Sequence, residues 1–277
     1  PDSTHVRHCM DALDFLVVQD LFLTETARYA DVVLPAVSWA EKEGTFVNTE
    51  RRVQKVNRAL RPRGDARPDW QIITDLANKM GLNWQYQCPE DIFREITSLT
   101  PSFAGITYDR LGITGIHWPC PTEIHPGTPI LHVDKFSRGQ GRFSAVEHRD
   151  PAELPDAEYP FMLTTGRILY HYHTGTMTRR STGLKNVLDE ELMEMHPDDA
   201  KALGVQECDL VKVTSRRGSV RSKLKISERV PRGVVFMTFH FHETAANILT
   251  SSEACPTAKI PELKVSAVRI EKVEADT

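Results

Sequence analysis

Two His-x-His pairs, His171 with His173 and His240 with His242, carry the most reactive side-chain chemistry in the chain. On a strand, alternate side chains share a face, so each pair would converge on one ligand. Four imidazoles could hold a transition metal. No carboxylate recurs with them in a metal-ligand pattern, although Glu243 is adjacent. Hydrogen-bonding residues lining a polar cleft are the simpler reading. Gly166 and Arg167 leave the apolar run Phe161–Thr165 and lead into Tyr170, His171, Tyr172 and His173. A guanidinium matches a phosphate with a planar fork of donors, and glycine lets backbone approach a ligand closely. The other reading is a surface arginine beside a turn. Gln19 and Asp20 end the first apolar run, where open α/β sheets bind ligands. Asp69 stands where a helix should begin; a cap is the favoured role there, and contact with a guanine or ribose is the second. Asn247, Thr250, Lys259 and Lys264 could supply donors and acceptors to a polar ligand, or belong to a loop packed on a barrel with solvated lysines.

These residues need elements to position them. Residues 13–37 read as strand–helix–strand. The run Leu13–Val18 has the near-continuous apolar character of a parallel strand buried on both faces. Thr24–Ala30 reads as a short helix capped by Thr24, and Asp31–Pro35 as a second buried strand stopped by proline. Trp39–Gln54 reads as a long loop with one strand. Trp70, Ile73, Leu76, Ala77 and Met80 recur at helical spacing, with Gly81 as the stop. A second helix spans about Pro89–Leu99, with Ile92, Ile96 and Leu99 on one face. Residues 101–158, rich in Pro, Gly and His, read as a long meandering connection, which places a domain boundary near 150. Beyond it the pattern becomes short strands: Phe161–Thr165, a hairpin of Leu210–Ser215 and Ser219–Ile226 around Arg216-Arg217-Gly218, Val234–Phe239 and Lys264–Ile270. A short helix, with Pro197 at its start and Gly204 at its end, lies among them. Many short strands with glycine turns predict a closed β barrel.

Composition removes several function classes. The chain has 277 residues, 40% hydrophobic and 26% charged, which are ordinary globular values and not those of a disordered, collagen-like or coiled-coil protein. Its 34 basic and 38 acidic residues leave a net charge of -4, so no electrostatic footprint for duplex nucleic acid exists and no nucleic-acid partner is expected. No apolar run reaches the roughly 18 residues of a transmembrane segment, and no signal or transit peptide is visible. Cys9, Cys88, Cys120, Cys208 and Cys255 are widely scattered, without a C-x-x-C pair; zinc-ribbon, thioredoxin and iron–sulfur motifs are absent. Reduced structural thiols in a cytoplasmic protein are expected. Neither G-x-G-x-x-G nor a P-loop occurs. A chain that opens on Pro1 and enters structure almost at once reads as a piece of a longer product.

Read in order, the motifs resemble a family. Val17–Asp20, Thr24–Ala27, Ala30–Pro35, Glu43–Gln54 (Glu-Gly-Thr-Phe-Val-Asn-Thr-Glu-Arg-Arg-Val-Gln) and Asp69–Ile73 are followed by Thr165-Gly166-Arg167, His171-Tyr172, the His196–Ala200 helix start, Asn247 and Pro261–Lys264. This series is similar to the oxidoreductases that carry bis-molybdopterin guanine dinucleotide, and within them to the catalytic subunit of formate dehydrogenase. The resemblance implies the end of a Rossmann-like α/β domain (1–150) followed by a double-psi β barrel (151–277) that binds the dinucleotide.

It also implies roles. Gln19 and Asp69 would touch one guanine dinucleotide; Gly166, Arg167, His171, Tyr172, His173, Phe239, Asn247 and Lys264 would line the other. The family position matching Phe239 can be tyrosine, and that of His173 a smaller polar residue. Molybdenum or tungsten would be the metal. The family's 4Fe-4S cysteines, and the cysteine or selenocysteine that ligates the metal with its neighbouring histidine and arginine, lie N-terminal to this region. No residue here is therefore expected to be catalytic or to ligate the metal, and the piece alone is expected to be inactive. The expected partners are the remainder of the same catalytic subunit and NAD-linked, quinone-linked or hydrogenase electron-transfer subunits. A sibling enzyme such as a nitrate reductase, and a non-catalytic barrel binding module, are the alternatives.

Overall fold

A computed structural model describes residues 1–273. The chain forms two compact units, one of residues 17–146 and one joining residues 1–16 to the chain from 147 onward. Helix α1 (Ser3–Asp11), capped by the Asp2 side chain, belongs to the latter. No sequence pattern announced it.

In the first of these units, β1 (Val17–Asp20) pairs in parallel with β2 (Val32–Pro35), Gln19 opposite Leu34. The strand begins later than the apolar run predicts, and it is not buried on both faces: Val17, Val32 and Val33 are exposed. Thr26–Tyr29 forms a 3-10 turn rather than a longer helix, with Thr24 Oγ1 accepting from Ala27 N at 3.3 Å. Residues 39–56 hold more structure than one strand. β3 (Gly44–Val47) and β4 (Arg52–Val56) form an antiparallel hairpin, extended later by β5 (Ile116–His117).

Helix α2 (Asp69–Lys79) and helix α3 (Pro89–Leu99) stand at the predicted places. Their buried faces match the predicted ones only in part, at Ala77. Ile72 and Ala77 are buried in α2 and Phe93 in α3, whereas Ile73, Leu76, Met80, Ile96 and Leu99 are exposed. The start of the predicted long connection is folded: α4 (Tyr108–Leu111), β5 and Cys120 join Val53, Phe93 and Ile106 in one core cluster. Arg110 holds this segment by donating to the Gly105 and His125 carbonyls, so backbone carbonyls rather than helix or sheet consolidate it. Residues 131–150 are irregular and exposed throughout.

The second unit is a closed six-stranded barrel, as the short strands predict. β6 (Phe161–Gly166), α5 (Thr182–Val187), β7 (Leu192–Met195), α6 (Pro197–Leu203), β8 (Leu210–Ser215), β9 (Gly218–Ile226), β10 (Val234–Thr238) and β11 (Ser266–Lys272) follow in order. Around the barrel the strands run β10-β6-β11-β8-β9-β7. β6 with β10 and β7 with β9 are parallel; the other pairs are antiparallel. Alternation fixes the inside: Val220, Ser222 and Leu224 of β9 are buried, the residues between them exposed. Leu163, Met193, Met195, Val211, Val213, Val235, Met237 and Val268 complete the core. Gly204 closes α6 at φ +66°, a left-handed cap that glycine adopts without a Cβ penalty.

Candidate functional site

The register gathers the predicted barrel residues at one end. β6 and β10 run in parallel with Gly166 opposite Thr238, so Arg167 and Phe239 leave the barrel side by side. The Arg167 guanidinium lies over the Phe239 ring, 5.5 Å from its centroid. β11 is antiparallel to β6 with Ser266 opposite Leu163, which brings Lys264 to the same end. Its Nζ donates to the Thr165 carbonyl, and Thr165 Oγ1 donates to Leu263 O at 2.7 Å. The turn between β8 and β9 reaches this end too. There Arg217 donates to Leu249 O at 2.8 Å, fixing the 3-10 turn Ala246–Ile248 that carries Asn247. Gly166 is packed against the Phe236 ring, where a Cβ would stand 2.5 Å from a ring carbon, so any larger residue there would have to displace that ring.

The histidine pairs do not lie on strands. Residues 171 and 172 lie in irregular chain, His173 in a turn, and His242 opens a short 3-10 turn, so the two members of a pair do not face one ligand. One member of each pair meets instead: the His171 and His240 rings lie 5.9 Å apart. Among the described residues no cluster of three or more metal-ligating side chains occurs. His171 is buried and saturated within the protein, its Nδ1 paired with Thr178 Oγ1 at 3.1 Å and its Nε2 with the Leu188 carbonyl at 2.8 Å. Tyr172 and His173 are exposed and stack edge to face at 4.4 Å. Arg167, Tyr172, His173 and Lys264 thus present donors or ring faces to solvent, while His171 shapes the loop behind them.

A second set lies in the other unit. The parallel pair ends at Asp20 and Pro35, and Ala36 bridges in parallel to Arg67. That bridge places Asp69 beside the end of β1. Asp69 is the first residue of α2 and does not cap it; Pro68 holds the cap position with no side-chain bond. Its carboxylate accepts from Gln19 Nε2 at 2.8 Å and from Lys42 Nζ at 2.5 Å. Burial pushes the Asp69 carboxyl up, but the bonds from Lys42 and Gln19 outweigh it and hold the group below the usual carboxylate range. Asp20 is turned to local work, accepting from Phe22 N at 3.1 Å. Lys42 carried no sequence signal; it was one lysine in a polar stretch.

A buried carboxylic acid also escaped the sequence reading. Glu191, 3% exposed, precedes β7 and accepts from Thr238 N at 2.7 Å and from the Thr238 hydroxyl. Burial pushes its carboxyl up to about 7, and nearby Glu194 adds to the rise against the Thr238 bonds.

A bis-molybdopterin guanine dinucleotide is the group the resemblance implies, and the donor chemistry fits it. Two cationic side chains, an aromatic face and an amide stand at one barrel end. In the loops nearby, Thr244 Oγ1 and Arg179 Nε are buried without a hydrogen-bond partner.

Known proteins similar to the chain cover both of its units. Residues 161–267 match the molydopterin dinucleotide binding domain and residues 1–79 the molybdopterin oxidoreductase family. The chain is 56% identical to the F420-dependent formate dehydrogenase subunit alpha of Methanocaldococcus jannaschii, over 99% of this chain and 41% of that protein. It is 36% identical to formate dehydrogenase H of Escherichia coli, over 97% of this chain and 38% of that protein. It is 41% identical to the assimilatory nitrate reductase catalytic subunit of Bacillus subtilis, over 98% and 40%. The chain thus spans about two fifths of the length of these relatives. Acetylene hydratase from Pelobacter acetylenicus shares its fold, with a TM-score of 0.72 at 17% identity over 98% of this chain and 42% of that one. Each unit of this chain thus carries sequence that matches molybdopterin oxidoreductases, the barrel matching their dinucleotide-binding domain, and nearly the whole chain is similar to part of formate dehydrogenase alpha subunits.

Proposed function

We propose that this chain supplies part of the cradle for a bis-molybdopterin guanine dinucleotide in a molybdenum or tungsten formate dehydrogenase. The observation that carries the reading is the joint exit of β6 and β10, which sets Arg167, Phe239 and Lys264 at one barrel end. When bound, the metal–pterin group would supply the two-electron redox chemistry by which formate becomes carbon dioxide and a proton. The residues of this chain bind and orient. Arg167 and Lys264 neutralise pyrophosphate charge, since a buried anion left unpaired costs several kcal/mol. Phe239 and Tyr172 offer ring faces, and Gly166 keeps the β6 exit close to its neighbour. Asp69, kept ionised by Lys42 and Gln19, would accept from the N–H edge of a guanine in the second half of the cradle.

The parallel pairs β6–β10 and β7–β9 fit a double-psi barrel, and β1–β2 fits the edge of a Rossmann-like domain. The 4Fe-4S centre and the metal ligand belong to the remainder of the subunit. Formate is favoured over nitrate as substrate because identity to the formate dehydrogenase of M. jannaschii is 56%, against 41% to the nitrate reductase. The relatives' names favour coenzyme F420 over NAD, a quinone or a hydrogenase as the electron acceptor, reached through a partner subunit. Metal and pterin analysis of the full-length gene product tests the proposal, with Arg167→Ala and Lys264→Ala beside it. Molybdenum or tungsten with two guanine dinucleotides, depleted in the variants, is expected. A full-length protein without pterin would leave a binding module and end the oxidoreductase reading.

A further inference from the structure

We propose that His240 is a positioning residue that fastens the Arg167–His173 loop from beneath, and that protonation of its ring releases the loop. The inference rests on the proposed cofactor role of that loop only for its consequence, not for its geometry.

His240 is 0% exposed. Its Nε2 accepts from Ile168 N at 3.0 Å, and its Nδ1 meets the carbonyl of His173. A backbone amide can only donate and a carbonyl can only accept, so the ring must be neutral with its proton on Nδ1. The two bonds bracket the loop, one at each end. The loop needs such a fastener. His173 stands at φ +48°, a left-handed conformation that disfavours a residue with a Cβ, and Gly175 follows at φ +72°. A Cβ on Gly175 would stand 2.7 Å from the His240 carbonyl, so this turn is pressed against the His240 backbone.

A proton on Nε2 would remove the acceptor and set an N–H against the Ile168 N–H. The surroundings oppose that proton. Burial pushes the His240 ring below its ordinary value despite the His173 carbonyl, and His171, Arg167 and His173 add positive repulsion. The Arg179 side chain packs against the same face of Gly175 as the His240 carbonyl, and His242 follows on the same segment, paired with Arg179 and Glu243. Behind it, Glu191 is linked to the His240 backbone through Thr238 Oγ1. The fastened loop therefore prefers the neutral ring, while the open loop titrates near the ordinary histidine value of about 6.5. Fastening is complete above about 6.5 and weakens as pH falls towards the lower value of the closed state, by at most about tenfold per pH unit for one proton.

The test is hydrogen exchange of residues 167–173 in the full-length subunit, corrected for intrinsic rate, from pH 8 to pH 5, with pterin release followed in parallel. In the wild type, protection should fall up to about tenfold per unit below 6.5. His240→Gln, which keeps an acceptor near Nε2 but does not titrate, should retain most protection at pH 8 and lose the slope. His240→Ala should lose protection at every pH. A His240→Gln slope equal to the wild type, or His240→Ala protection unchanged at pH 8, would overturn the proposal. Loop opening in the predicted pattern without faster pterin release would uphold the fastener and refute the cofactor reading of the loop.

Discussion

Replacing Glu191 by glutamine should make the barrel more stable at pH 8 and leave it unchanged at pH 4. The carboxyl is 3% exposed and spends both oxygens on Thr238. No cation pairs with it among the described residues; Lys225 and Arg229 pair with Glu194 instead. Its raised value, about 7 against 4.5, means that the folded protein binds the proton more tightly than the unfolded chain does. Stability is then fully present below about 4.5 and is lost as pH rises through 7. Two and a half units at about 1.4 kcal/mol each give a loss on the order of 3 kcal/mol by pH 8. Glutamine escapes this cost because its amide can still accept from Thr238 N and can donate to the Thr238 hydroxyl. Urea unfolding of wild type and variant at pH 4, 6 and 8 reads the difference as a change in midpoint at constant m. The gap should open from near zero to on the order of 3 kcal/mol. A gap independent of pH, or a variant less stable at pH 8, would refute the reasoning that Glu191 is held as an uncompensated buried acid.

Further outcomes follow from packing. Leu224→Ala, in the barrel core, should cost about 2–5 kcal/mol in the same assay. Gly175→Ala places a Cβ at φ +72° within 2.6 Å of the Arg179 side chain and should destabilise the 171–180 turn by more than about 1 kcal/mol, read as faster local hydrogen exchange. Glu153 joins Arg216 at 2.6 Å and Arg217 at 2.7 Å and accepts from Ala267 N. Glu153→Ala should free the segment around 150–156 and speed tryptic cleavage at Arg149.

Legibility in the sequence followed the strength of local pattern. Helix α3 was readable because Pro89 starts it and apolar residues recur; its buried face was not, because Phe93 lies off the predicted stripe. β8 and β9 were readable by alternation around a glycine turn. β7 was not, because Leu192-Met193-Glu194-Met195 follows acidic residues and buries a glutamate that Lys225 pairs across the ladder. Gln19, Arg167 and Lys264 could be named from motif order. Their neighbours Lys42 and Glu191 could not, since each acts through a residue distant in the chain. Asp69 could be placed at a helix start but not assigned its work, which depends on the bridge between Ala36 and Arg67. The His-x-His spacing implied strands, but irregular loops and a 3-10 turn carry these residues instead.

Barrel closure has a consequence for handling the protein. A closed barrel leaves no strand with a free row of amides and carbonyls, so it offers no template for adding foreign strands. The β1–β2 ribbon is the opposite case: a short parallel pair with exposed valines on its faces. When this chain is concentrated by itself, self-association should begin at that ribbon, and charged substitutions at Val17 or Val33 should raise its solubility while leaving the barrel's unfolding unchanged.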